Sequence, residues 1–177
     1  MAALSASSTA CSTAPGEGTI VATVYPVAFA AEHLARPGAE VIDLTPPGSE
    51  AHDLELSLEA RATMEDADMV IYLGNIGFQP QVESAVEELD TRVVDLSLEL
   101  DRVDGIVDPH FWLEPSYFST IVRALGGEFC PSEDPCSSRD AGTRDAFLRR
   151  LGELQRRYGE GLHECTYDTL IVPHQAF

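Results

Sequence analysis

Ala67-Asp68-Met69-Val70-Ile71-Tyr72-Leu73-Gly74 sets an unbroken apolar run between an aspartate and a glycine. A strand with one wet face alternates apolar and polar residues, whereas a run without alternation marks a strand covered on both faces. Three more segments fit the same description. Thr19-Ile20-Val21-Ala22-Thr23-Val24-Tyr25-Pro26 is β-branched, with Pro26 read as its stop. Glu40-Val41-Ile42-Asp43-Leu44-Thr45 is closed by Pro46-Pro47-Gly48, and Thr91-Arg92-Val93-Val94-Asp95-Leu96 is the fourth. Helical stretches separate them. Residues 27–36 are Ala-rich and end at Pro37-Gly38; Ser57 can cap a helix through Asp66; residues 78–89 place Val82, Ala85, Val86 and Leu89 on one face. This alternation predicts an α/β fold, a parallel sheet with helices on both faces, repeating from residue 19 to about 130.

Beyond residue 136 the texture changes. Phe147, Leu148, Leu151, Leu154, Tyr158 and Leu162 recur every three or four residues, which predicts a long helix over 139–163, capped by Ser137 or Ser138. Thr166-Tyr167-Asp168-Thr169-Leu170-Ile171-Val172 then reads as another strand. The resulting organisation is a leader (1–18), an α/β lobe (19–136), a linker helix (137–165) and the first strand of an incomplete C-terminal lobe (166–177).

Thirty acidic residues face eleven basic ones, all Arg, for a net charge of −19. Phosphate binding needs clustered cations, so nucleic acid is not an expected partner; the balance instead favours cations and a solvated acidic surface. No apolar run reaches the ~20 residues that span a bilayer. Of the four cysteines, Cys130 and Cys136 flank a five-residue turn that could close as a disulfide, and none has the C-x-x-C spacing of a zinc ribbon. Residues 4–11 read either as the tail of a lipoprotein signal with Cys11 acylated or as a floppy Ser/Ala/Thr leader, since a charged n-region is lacking.

The chemistry-bearing residues are histidines. His52, His110 and His174 each follow an apolar, strand-like run, the place where α/β proteins keep ligand-binding groups. Separations of 58 and 64 residues suit ligands gathered from successive β-α units, and neutral imidazole is the commonest protein ligand of zinc and related metals. The expectation is that these three imidazoles converge on one ion. Glu50 is a candidate for a further ligand, and Asp53 and Asp108 are candidates to accept from the imidazoles and orient them. An imidazole-rich set suits Zn2+ and, as the alternative, Mn2+. His33 and His163 lie in helical segments and read as surface residues. A rival reading makes the same cluster a zinc-dependent hydrolase with Glu50 or Glu114 as general base, although the chain has no H-E-x-x-H helix.

Val24-Tyr25-Pro26, Pro47-Gly48-Ser49-Glu50-Ala51-His52-Asp53, the Ala67–Asn75 run, Asp108-Pro109-His110-Phe111-Trp112-Leu113-Glu114-Pro115 and Pro173-His174-Gln175-Ala176-Phe177 together carry a resemblance. The chain resembles the metal-specific solute-binding proteins, zinc or manganese type, of ABC importers. The resemblance implies two α/β lobes joined by a rigid helix, with the metal in the cleft between them. It also implies His52 and His110 as first-lobe ligands, His174 at the start of the second lobe, and an acidic ligand further along. It further implies an extracytoplasmic, non-enzymatic, monomeric receptor that delivers metal to a permease, with Cys11 as the lipid attachment point if residues 4–11 are the tail of a lipoprotein signal. Gln175 stands where members commonly have Asp. Read as ending at residue 177, the chain would be truncated after the first lobe and linker, or be a non-functional fragment of the binding protein.

Overall fold

The structure is a computed structural model that describes residues 18–100, 102–103, 106–130, 138–167 and 169–172. Four strands, β1 (Thr19–Ala22), β2 (Glu40–Asp43), β3 (Met69–Tyr72) and β4 (Arg92–Asp95), form one sheet in the order β2-β1-β3-β4. All three pairings are parallel, with Ile20 opposite Val41 and Met69, and Val70 opposite Val93. Period-two alternation sends the two sides of β1 into different cores. Ile20 and Ala22 pack with α1 (Tyr25–Leu34), α4 (Pro115–Phe129) and α5 (Ser138–Leu162); Val21 packs with α2 (Leu58–Glu65) and α3 (Pro80–Val86). Both faces of the sheet are therefore covered, which is why every residue of β3 is apolar and buried.

Local chemistry sets the element boundaries. Ser57 caps α2, its Oγ accepting from the Ala60 N–H at 3.0 Å. Pro26 does not stop β1, which has already ended at Ala22. It sits in the first turn of α1, where a fixed φ and a missing N–H are tolerated. The run before His110 also departs from expectation: Ile106–Val107 pairs antiparallel with Arg102–Val103 in a small hairpin, β5 and β6, and does not join the main sheet.

α5 covers 25 residues, about 37 Å at the usual helical rise. Only its first half is docked. Phe147 and Leu151 join the core beside α1 and α4, whereas Tyr158 and Leu162 on the same stripe are exposed. At Gly126 of α4 a Cβ would come within 2.6 Å of Arg144 Cδ on α5, so the glycine leaves room for that side chain in its present rotamer. The segment expected to form a closing strand shows no strand pairing among its described residues, and Leu170 and Ile171 are exposed. Among the described residues β2 and β4 are the edge strands of the sheet, and the segment pairs with neither. Cys130 is disulfide-bonded, Cys165 is an exposed free thiol, and Cys11 and Cys136 lie outside the described residues. Among the described residues no helix is long and apolar enough to cross a membrane.

Half-docking of α5 has a direct consequence for stability. Phe147→Ala should cost about 3–5 kcal/mol in denaturant unfolding, as expected for a buried phenylalanine, while Leu162→Ala should stay within about 0.5 kcal/mol of wild type. Equal effects would mean that the helix packs along its whole length.

Candidate metal centre

Parallel strands all end on one edge, and ligands of open α/β sheets bind at that edge where the strand order reverses. Here the reversal falls between β1 and β3. The loops leaving β2 and β3, and the one that reaches α4 from β4 through the hairpin, bring His52, Phe78 and His110 together at this edge.

His52 lies in a single 3-10 turn, Ala51–Asp53, entered from Pro46-Pro47-Gly48. Its side chain is 39% exposed, and the Asp53 carboxylate stands 3.8 Å from Nδ1, longer than a hydrogen bond. His110 precedes the 3-10 turn Phe111–Leu113 and is only 14% exposed. Asp108 Oδ1 accepts from the His110 backbone N–H at 2.9 Å and lies 2.8 Å from Nδ1. A carboxylate only accepts, so Nδ1 carries the hydrogen; in the neutral imidazole the lone pair is then on Nε2, the tautomer that a carboxylate sets in metal-ligating histidines.

Sequence reasoning missed the aromatic residue that both imidazoles neighbour. Phe78 places its ring 6.4 Å from that of His52, nearly parallel, and 6.4 Å from that of His110, edge-on. Trp112 packs against His110 from another side at 5.3 Å. The β3–α3 loop builds the Phe78 position. Asn75 and Gly77 adopt positive φ, and the Glu83 carboxylate accepts from the N–H groups of Ile76 and Gly77. The sequence predicts a helix over 78–89, whereas α3 begins only at Pro80, which leaves Phe78 in the loop that precedes it.

Glu50 is exposed and borders an open cleft of about 340 Å³ walled by Tyr25, Phe29, Trp112 and Phe118. At the end of β2, burial pushes the Asp43 carboxyl upward, against hydrogen bonds from Thr45 that lower it. His33 is exposed, its Nδ1 2.8 Å from the Phe29 carbonyl of its own helix, and His163 is exposed past the end of α5. His174 lies outside the described residues. Among the described residues no group of three or more His, Cys, Asp and Glu side chains is gathered tightly enough to hold an ion. The structure thus brings two of the three expected imidazoles to one aromatic ring.

A parallel α/β lobe with two histidines at its strand-end crevice defines a ligand-binding class, and comparison with known proteins supplies the family. Residues 20–177 match the family described as zinc-uptake complex component A, periplasmic (ZnuA), and the chain belongs to that family of solute-binding proteins. The zinc-binding lipoprotein AdcA of Streptococcus pneumoniae is 29% identical over 188 residues, covering 93% of this chain and 36% of AdcA. The high-affinity zinc uptake system protein ZnuA of Bacillus subtilis is 20% identical, over 89% of this chain and 56% of its own length. The Zn(II)-bound ZnuA-like domain of S. pneumoniae AdcA superposes with a TM-score of 0.77 at 26% identity, covering 91% of this chain and 61% of that domain. The chain therefore spans roughly one to two thirds of the relatives that it matches.

The Asp108 contact is directly testable. Asp108→Ala should weaken metal binding about tenfold in a competitive chelator titration. Asp108 is 65% exposed, so the melting transition should barely move. Unchanged affinity would show that the carboxylate does not orient His110.

Proposed function

We propose that this chain is the metal-capturing lobe of an extracytoplasmic zinc receptor, binding Zn2+ through His52, His110 and His174 and passing it to an ABC permease. The carrying observation is the pair of imidazoles set against Phe78 at the strand-end crevice, one of them held at Nδ1 by the Asp108 carboxylate. Two imidazoles are too few for a closed zinc shell, which takes four ligands. In this reading His174 supplies a third, and a carboxylate completes the set, either Glu50 or one contributed by protein beyond residue 177. Zinc is favoured over manganese because nitrogen-rich sites suit zinc while manganese prefers oxygen.

The zinc-binding relatives support this assignment, as does the net charge of −19, which attracts cations to the protein as a whole. A periplasmic or lipid-anchored location, with Cys11 as the acylated residue, belongs to the same proposal, as do delivery to a permease and a monomeric state. The role is capture, not catalysis: a closed coordination shell keeps no open position for an activated water.

His52→Ala and His110→Ala should each lower zinc affinity tenfold or more in titration calorimetry, with melting transitions near wild type. Wild-type affinity in both variants would overturn the site. Zinc-loaded protein should also give no turnover on ester, peptide or phosphate substrates; metal-dependent hydrolysis abolished by His110→Ala would instead establish the hydrolase reading.

A further inference from the structure

Gln79 is 2% exposed and sits at the N-cap of α3, yet its side chain makes no capping bond to its own helix. Its amide instead reaches across the strand-end crevice. Nε2 donates to the Thr23 carbonyl at 3.0 Å, where β1 ends, and to the Ala51 carbonyl at 2.8 Å, in the peptide that leads into His52. Thr45 Oγ1 donates to the same Thr23 carbonyl at 3.1 Å, tying in the end of β2. One buried amide thus joins three segments: the end of β1, the His52 turn and the start of α3.

The arrangement carries a cost. Gln79 Oε1 and Thr23 Oγ1 are both buried with no hydrogen-bond partner among the described residues, and an unsatisfied buried polar atom is destabilising. An apolar side chain of the same size would avoid that cost at Gln79. What it could not do is hold the Ala51 carbonyl. The His52 turn is short and its end faces solvent: it is three residues long, its N-cap Glu50 makes no side-chain capping bond, and His52 and Asp53 are exposed.

We propose that Gln79 is a positioning residue for the metal centre: its buried amide locks the Ala51–His52 peptide to the sheet so that the His52 imidazole faces His110 across Phe78. The inference rests on His52 being a ligand. Phe78 and Gln79 are adjacent, so one dipeptide sets both the spacing of the imidazoles and the backbone from which one of them projects. The amide acts through Ala51 and touches no ion itself.

Imidazole NMR of the zinc-free protein separates this role from general stability. In folded Gln79→Leu, the His52 ring signal should shift and broaden while those of His33 and His163 stay in place; Gln79→Met serves if the leucine variant fails to fold. Zinc affinity should fall about tenfold, and the substitution should cause no further loss in a His52→Ala background. A His52 signal unmoved by the substitution would overturn the proposal, as would an equal loss of affinity with and without His52. If His52→Ala itself left zinc binding intact, the receptor reading would fail, and the zinc-free spectra would still decide whether Gln79 positions the turn.

Discussion

Parallel pairing is the constraint from which the rest follows. Strands running in one direction must all end on the same edge, and each return must cross a face of the sheet. In this chain the order β2-β1-β3-β4 puts the reversal between β1 and β3, and the loops arriving there carry His52, Phe78 and His110. Burial of β3 on both faces fixes its register against β1 and β4, and so fixes where those loops begin. The site is a product of topology before it is a product of any one side chain.

Different physical devices hold the two histidines, and the contrast matters for binding. His110 is largely buried and held at Nδ1 by Asp108, which fixes the orientation of its ring. His52 is more exposed, sits on a single turn, and relies on the backbone clamp at Ala51. In the proposed site, holding both imidazoles in place before the ion arrives would lower the ordering cost of capture.

Much of this was legible in the residues. The four strands, the Ser57 cap and the long amphipathic helix follow from local patterns that tertiary packing reinforces: continuous β-branched runs, a hydroxyl before a helix, apolar residues at helical spacing. What failed to be legible depended on partners distant in sequence. Pro26 reads equally as the end of a strand or the first turn of a helix, and only the length of β1 decides. The β-branched run at 169–172 has the composition of a strand, but pairing is a property of neighbours. Gln79 gave no signal, because its two acceptors lie 56 and 28 residues away. His52 and His110 are candidates because, with His174, they repeat one sequence pattern; the meeting of the first two at Phe78 cannot be read from spacing.

Zinc K-edge X-ray absorption on the metal-loaded chain tests the central claim most directly. The account predicts a nitrogen shell at about 2.0–2.1 Å, with the multiple scattering of at least two imidazoles and the loss of one imidazole in His110→Ala. An oxygen-only shell, or an imidazole contribution indifferent to His52 and His110, would contradict it.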